Sequence, residues 1–310
     1  MKTTNDIYQM ITDKMISELE NGLIPWQKPW QNATNAGCIS HTTAGCISHT
    51  TGKPYSMINQ MLLGDRAGEW LTYKQVVNEG GKVRKGEKAS FVVFWQMVEK
   101  VVKSEQVEEV SDDESTTISA TRETVKHYPV LKSYNVFHID QCDGIKPRFA
   151  NKAKTYDHTP IEIADEIVNL YAEREQLKVN ICDSDRAFYS PGQDFVQVPK
   201  IEQYAVKAEY YSTLFHELTH STGHAKRLSR PEVTGLHFFG DADYSKEELT
   251  AEMGAAFLCN RAGIDCAEAF RNSVAYIQGW LKALHNDRKL VVLAAAKAER
   301  AANYILTGEK

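Results

Sequence analysis

The sequence predicts an α+β protein in two parts, an α+β domain over residues 1–150 and a mostly helical domain over residues 151–310. Two long strand-forming runs, "ASFVVFWQMVEKVV" and "HYPVLKSYNVFHI", both lie in the front part. Helical periodicity dominates the back part. Between the two parts, "CDGIKPRFANKAKTYDHTP" has the proline, glycine and lysine content of a linker. We therefore place the domain boundary near residue 150.

Composition bounds the class of protein. The chain has 310 residues, 42% of them hydrophobic and 25% charged, with a net charge of -5, which is typical of a globular protein large enough for two cores. The first residues lack the apolar core of a signal peptide, and no apolar run is long enough to span a bilayer. The six cysteines are scattered without a CxxC pair, which indicates reduced thiols. We expect a cytoplasmic location and no membrane partner.

The first elements follow from local signals. Apolar residues recur at four-residue steps from Ile7 to Leu19, which predicts a helix over residues 5–20. "AGCISHTT" then occurs twice in tandem, and we predict a loop over residues 36–51, because a recent duplication is seldom tolerated inside a structured element. Its two Cys-x2-His spacings offer metal ligands, but a duplication in a tolerant loop explains them better. Thr72 and Gln75 have the spacing of a capping box and predict a helix start.

The two strand-forming runs are separated by an acidic, polar stretch without apolar periodicity. We predict that this insert, residues 101–126, is a loop that crosses the end of a hairpin.

The back part predicts five helices and one short β segment. The helices are expected at residues 160–175, 201–223, 245–262, 267–285 and 288–306. The β segment is "RAFYSPGQDFVQVP", and we expect its end, "DFVQVP", to be an edge strand on which an extended peptide could be laid.

The motif "HELTHSTGH" carries the clearest chemistry. His216 and His220 are four residues apart on a predicted helix, so their imidazoles lie on one face and can hold one divalent ion. Glu217 lies further round that side. The apolar residues of the helix lie on the opposite face, as a metal-binding helix requires: Tyr211, Leu214, Phe215 and Leu218.

A third ligand must come from elsewhere. Lys226 stands where a metzincin has its third histidine, which excludes that arrangement, and His224 follows a glycine that should end the helix. An acid on a following helix would complete a His2Glu site, and "YSKEELTAEMGAAFLC" offers Glu247, Glu248 and Glu252. Ser245 and Glu248 have capping-box spacing, which predicts Glu248 at a helix start. We therefore predict Glu252 as the third ligand, beside small residues that allow close helix packing.

Such a site predicts a metal-dependent peptidase. A bound divalent ion, most plausibly Zn²⁺, lowers the pKa of a coordinated water toward neutral. Glu217 is the expected catalytic base, which takes a proton from that water and passes it to the leaving amine. The sequence leaves Tyr244, His237 and His224 open as partners for the oxyanion.

At this point the chain resembles the ArdC-type antirestriction proteins of conjugative plasmids. The resemblance rests on "IPWQKPW", "WLTYKQVVNEGGKVRKGEKASFVVFW" and "SYNVFHIDQCDGI" in the front part, and on "YYSTLFHELTHSTGH" and "KEELTAEMGAAFLC" in the back part. It implies an N-terminal α+β domain that binds single-stranded DNA and a mostly helical, zincin-like metallopeptidase domain. It also implies a role in protecting incoming plasmid DNA from the restriction systems of the recipient.

The front part offers residues for single-strand binding, which needs cations for phosphates and aromatic rings for bases. "GGKVRKGEK" forms a basic turn, and aromatic residues lie nearby in sequence. The expected DNA contacts are Lys82, Arg84, Lys85, Lys88, Trp26, Trp30 and Tyr73. The alternative is that the basic turn is a solvated hairpin tip and that the tryptophans belong to the core.

Two other functions remain open. The protein could shield single-stranded DNA without catalysis, with a structural metal site. It could also be a regulatory metallopeptidase unconnected with DNA. We prefer the antirestriction protein with a peptidase site, whose partners are single-stranded DNA and an unknown protein substrate.

Overall fold

The fold is known from a computed structural model, which describes residues 3–21, 23–26, 46–64, 66, 68–107, 119–149, 160–204, 206–234, 242–265 and 274–310. These residues form helices and strands in both halves, with the longest strands in the front half, which confirms the predicted α+β class. Among them, no helix combines the length and apolarity needed to cross a bilayer.

The front half is built on a four-stranded sheet. Its elements are α1 (Thr4–Glu20), β1 (Cys46–Ser48), α2 (Met57–Leu63), β2 (Gly68–Thr72), α3 (Tyr73–Asn78), β3 (Lys82–Val83), β4 (Ser90–Val107), β5 (Ser119–His138) and β6 (Cys142–Asp143). The strand order is β1-β2-β5-β4, with β1 parallel to β2 and the other pairs antiparallel, while β3 pairs with β6 separately. The capping box of Thr72 and Gln75 is present at the start of α3.

The long hairpin of β4 and β5 corrects one prediction. The two strands pair from Ser90 opposite Val136 to Val107 opposite Ser119. Both arms of the acidic insert, expected as loop over residues 101–126, are therefore strand, and only residues 108–118 lie outside the described part. Strand pairing satisfies the backbone hydrogen bonds of these polar residues without any apolar periodicity.

The duplicated segment corrects another prediction. The second copy is not loop, because Cys46–Ser48 forms β1 beside β2, and His49 is fully buried. The His49 ring contacts the carboxylates of Glu69 and Glu79, so a polar residue of the repeat belongs to a buried polar cluster. The first copy, residues 36–43, lies outside the described residues.

The back half is mostly helical. Its elements are α4 (Pro160–Glu175), β7 (Lys178–Cys182), β8 (Phe188–Ser190), β9 (Phe195–Pro199), α5 (Lys207–Ser221), α6 (Pro231–Thr234), α7 (Ala242–Ala262), α8 (Val274–Asn286) and α9 (Leu290–Thr307). The strand order β7-β9-β8 puts β9 in the centre, paired on both sides. The segment "DFVQVP" is therefore not an edge strand, and β8 is one of the two edges instead.

Two large apolar clusters hold the molecule together. One lies within the back half and packs α4, β9, α5 and α7 together. The other, which we call the shared core, joins the halves: it includes Ile11 and Met15 of α1, Leu131 of β5, Leu249 of α7 and Val291 of α9. The boundary near residue 150 remains a prediction, and the shared core joins the two halves in addition to the clusters within each half.

Candidate functional site

The histidine motif lies on α5, in the middle of the back half. The four apolar residues predicted to oppose the histidines are all buried in the back-half cluster: Tyr211, Leu214, Phe215 and Leu218. The opposite face presents His216 and His220, whose side chains are 17% and 13% exposed. An amphipathic helix thus presents both imidazoles at the edge of the core.

Helix α7 packs closely against α5, because small residues line the contact. A Cβ atom on Gly254 would lie only 2.6 Å from Cγ2 of Thr219, so the helices could not approach as closely with any larger residue. Ala255 and Ala256 are fully buried beside it. This agrees with the prediction that small residues bring an acidic helix to the metal helix.

The two histidines and Glu248 form a group that fits a divalent ion. Their ligand atoms lie within 4.8 Å of one another. The two Nε2 atoms are 3.0 Å apart, and each is 3.5 Å from an oxygen of the Glu248 carboxylate. Donor atoms of a tetrahedral zinc site, at about 2.0–2.2 Å from the metal, are about 3.3–3.6 Å apart. The observed triangle is close to that size, and its imidazole and carboxylate donors suit zinc and manganese.

Glu252, the carboxylate chosen from the sequence, takes a different position. Its Oε1 lies 3.9 Å from Nδ1 of His216, not from the Nε2 atom that faces Glu248. The sequence choice assumed that Ser245 caps the helix, but α7 begins at Ala242, so Glu248 already lies inside it. One helical turn then separates Glu248 from Glu252 along the same face.

A third carboxylate orients His220. Oε1 of Glu247 is 3.1 Å from Nδ1 of His220, and both oxygens of Glu247 accept hydrogen bonds from the Arg230 guanidinium, at 2.9 and 2.6 Å. Arg230 also donates to the Thr219 carbonyl and to the Thr222 hydroxyl at the end of α5. Such partners fix the ring that carries the ligand nitrogen.

The carboxylates change the pKa values of the histidines. Burial lowers the pKa of His220, but hydrogen bonds with Glu247 and Glu248 outweigh it and raise that pKa to about 10. The pKa of His216 is also raised, because the Glu248 carboxylate outweighs burial. Burial raises the pKa of Glu252. The carboxylates that raise the pKa values of these histidines would also stabilise a divalent cation, which displaces the imidazole protons when it binds.

The other residues named for catalysis have less defined surroundings. Glu217 is buried, at 8% exposure, on α5 directly after His216. His224 lies after the helix end, with Nδ1 3.9 Å from Asp194. Of the remaining oxyanion candidates, His237 and the side chain of Tyr244 lie outside the described part of the chain.

The predicted basic turn is exposed. Lys82 lies on β3, and Arg84, Lys85 and Lys88 follow before β4, all at the surface. Arg84 is partly engaged: it pairs with Glu87 at 3.1 Å and donates to the Asp140 carbonyl. The other three side chains are the more available cations of this turn.

The three aromatic residues expected to stack on bases do not share one environment. Tyr73, at the start of α3, is 61% exposed. Trp26 is 1% exposed and packs edge-on against Trp280, so it cannot present a ring to DNA, and it is a core residue instead. Trp30 lies outside the described residues.

Comparison with known proteins identifies the family. Residues 5–137 match the N-terminal domain of anti-restriction factor ArdC, and residues 166–297 match the zincin-like metallopeptidase family. The metal-free crystal structure of the antirestriction ArdC protein from the R388 plasmid has 33% sequence identity and a TM-score of 0.66, with 97% of each chain covered. The chain belongs to the ArdC-type antirestriction proteins. The Mn(II)-bound R388 structure matches with a TM-score of 0.67 and 31% identity.

Two of the other relatives of this ArdC-type chain are much longer proteins, and a third has a similar length. Two DNA primases TraC from Escherichia coli are each 32% identical over 100% and 98% of this chain, which spans only 20% and 27% of their lengths. The uncharacterized protein y4eC of Sinorhizobium fredii is 30% identical, with 98% of this chain and 92% of that protein covered. The Mn(II)-bound relative and the zincin-like domain support a divalent metal as the cofactor of this ArdC-type chain.

Sequence reasoning on this ArdC-type chain named Glu247 only as one of three candidate ligands, without an orienting role, and missed Arg230 of the candidate metal centre. Arg230 lies after the end of α5 and donates hydrogen bonds back to that helix, and no short sequence motif predicts such a contact. The orienting role of Glu247 could have been found from its neighbour Glu248, because adjacent helical residues point about 100° apart and α7 passes two histidines.

Proposed function

We propose that this chain protects incoming conjugative DNA from host restriction, by binding single-stranded DNA with its front half and carrying a zinc-dependent peptidase centre in its back half. The triangle of His216, His220 and Glu248 is the observation that carries the enzymatic part. The exposed Lys82, Lys85 and Lys88 support the DNA part.

We propose His216, His220 and Glu248 as metal ligands, with Glu252 and Glu247 as the residues that hold the two imidazoles. The geometry favours Glu248 over Glu252 because only Glu248 contacts both Nε2 atoms. When bound, the divalent ion supplies a Lewis acid that activates water and polarises a peptide carbonyl.

The chain's own residues would do the rest of the chemistry. Glu217 is the proposed general base, which accepts a proton from the attacking water and returns it to the leaving amine. Glu217 is buried and directly follows His216 on α5. An extended peptide would be held by strand β8, which pairs only with β9 among the described residues and packs against α5.

A single substitution tests the peptidase part. Glu217→Gln keeps the shape of the side chain but removes the base, so peptide hydrolysis should fall by about 10²–10⁴-fold. Metal content and affinity for single-stranded DNA should stay unchanged, because Glu217 is in neither group. Glu209→Gln, on the same helix two turns earlier, is the matched control and should retain activity.

A transfer assay into a restricting recipient separates the two functions. If Glu217→Gln loses protection, proteolysis is required. If Glu217→Gln protects fully while alanine replacement of Lys82, Lys85 and Lys88 abolishes protection, the protein acts as a DNA shield. No hydrolysis of any peptide by the metal-loaded wild type would remove the peptidase part.

A further inference from the structure

We propose that the β4–β5 hairpin carries a base-stacking platform for single-stranded DNA, formed by Phe94, Tyr128 and Tyr134 with Lys126 and Lys132. This inference rests on the proposed function, since it names where the front half holds the strand. None of these residues belongs to the basic turn.

The platform lies on one face of the hairpin. In the register of β4 and β5, even-numbered residues pair with even-numbered residues, so their side chains share one side, which we call the even face. Along β5 this face reads Tyr134, Lys132, Val130, Tyr128 and Lys126, a row of about 27 Å at 3.4 Å per residue. Rings and cations thus alternate along an extended line.

The aromatic residues of this face are unusually exposed. Phe94 is 46% exposed, and Tyr128 and Tyr134 are each 43% exposed. Phe94 lies 6.0 Å from the Tyr134 ring and 6.1 Å from the Tyr55 ring, measured between centroids, so three rings form one cluster. Large apolar groups left in water at one place indicate a binding surface.

The charge of the even face favours a polyanion. Lys132 lies directly opposite Phe94, and Lys126 lies one step beyond Tyr128. Among the even-numbered side chains described from Ser90 to Val98 and from Lys126 to Val136, none is acidic, whereas Glu99 belongs to the opposite face. If a second copy of the chain bound here through its own even face, lysines would lie close to lysines and repel each other. The phosphates of a nucleic acid would instead be attracted to these lysines.

The platform continues toward the basic turn. At its base, Val92 and Val136 of the even face pack against Trp70. Trp70 in turn lines a cavity of about 520 Å³ together with Arg66, Lys88 and Ser90. Lys88 was expected to contact DNA, so the cavity lies between this lysine and the base of the even face at Ser90. One strand could follow the turn, the cavity and the row, with phosphates on cations and bases on rings.

The test measures binding of the full chain to a labelled oligothymidylate and to an abasic strand of equal length. Phe94→Ala with Tyr128→Ala should weaken oligothymidylate binding at least tenfold, because two stacking contacts are lost. Binding to the abasic strand should change less than about twofold. The ring-preserving pair Phe94→Tyr with Tyr128→Phe should bind like the wild type.

The opposite face gives a matched control. Met97→Ala with Val125→Ala removes side chains that are 60% and 55% exposed on the same two strands. This pair should leave both affinities unchanged. Lys126→Gln with Lys132→Gln should reduce the slope of log affinity against log salt by about 1.4, because each phosphate contact on a single strand contributes about 0.7, whereas Lys178→Gln in the back half should not.

Three results would overturn the platform. One is equal oligothymidylate binding by the Phe94/Tyr128 and the Met97/Val125 alanine variants. Another is that the wild type is a dimer, whereas the Phe94/Tyr128 alanine variant is a monomer with unchanged DNA affinity. The even face would then be a self-association surface. A wild type without single-strand affinity would overturn both this site and the DNA part of the proposed function.

Discussion

Replacing Glu248 by glutamine tests which carboxylate of α7 completes the metal centre. Glutamine keeps the length of the side chain but loses the charge that a divalent ion needs. Glu252→Gln, one turn further along the same helix, is the matched variant. The structure places Glu248 3.5 Å from both Nε2 atoms, whereas Glu252 approaches only Nδ1 of His216, at 3.9 Å.

The expected magnitudes follow from these positions. Loss of an outer partner that orients a ligand histidine typically lowers metal affinity by about 10–100-fold. We expect a loss in that range for Glu252→Gln, and also for Glu247→Gln, which releases His220. Glu248→Gln removes a ligand itself, so its loss should exceed about 100-fold.

Competition with a chromophoric chelator measures these affinities, with Zn²⁺ and with Mn²⁺. The pH must be fixed, since the ligand imidazoles lose their protons when the metal binds. Circular dichroism would check that each variant remains folded. If Glu252→Gln loses more affinity than Glu248→Gln, the geometric reasoning is wrong and the choice made from the sequence is right.

Three further predictions concern stability. Gly254→Ala should destabilise the protein by about 1–3 kcal/mol, because its Cβ would meet Thr219. Asp194→Asn should cost about 3 kcal/mol near neutral pH, because the buried Arg227 loses a bidentate partner at 2.8 and 3.1 Å. Deleting one copy of the repeat, which yields the same sequence whichever copy is removed, should change stability by less than about 1 kcal/mol, because β1 is retained.

Chemical denaturation checks all three. Burial opposes ionisation of Asp194, but Arg227 lowers its pKa on balance, so its contribution is present above about pH 4 and is lost as pH falls through the lowered value. The wild type and Asp194→Asn should therefore converge in acid. The exposed pair of Lys200 and Asp183 is the control, and Asp183→Asn should cost less than about 1 kcal/mol. A large loss on repeat deletion, or none for Gly254→Ala, would contradict the packing described.

Local chemistry was readable from the sequence. The four-residue spacing of His216 and His220, the capping box at Thr72 and the small residues near Gly254 each act over one or two helical turns. Such signals depend on backbone geometry that is the same in every helix. The two strand-forming runs were also recognisable, because apolar β-forming residues fill them.

The misjudged features depend on distant partners. The second copy of the repeat forms a strand because β2 pairs with it. The carboxylate of Glu69, 20 residues after His49, also contacts the His49 ring. Trp26 is buried because Trp280 of α8 covers it. The choice between Glu248 and Glu252 is a different case, because it stays a prediction: it depends on where α7 begins, and sequence patterns locate helix ends only to within about one or two residues.

Helix α7 links the two halves through two neighbouring faces. Glu248 and Glu252 point toward the histidines, while Leu249 and Met253, also four residues apart, lie in the shared core with Ile11 of α1. Removing the first 150 residues would expose that apolar face and disturb the helix that holds the carboxylates. Truncation therefore cannot assign DNA binding and metal chemistry to separate halves of this chain. Point substitutions on the even face and at Glu217 can separate DNA binding from metal chemistry, because these residues lie outside the shared core.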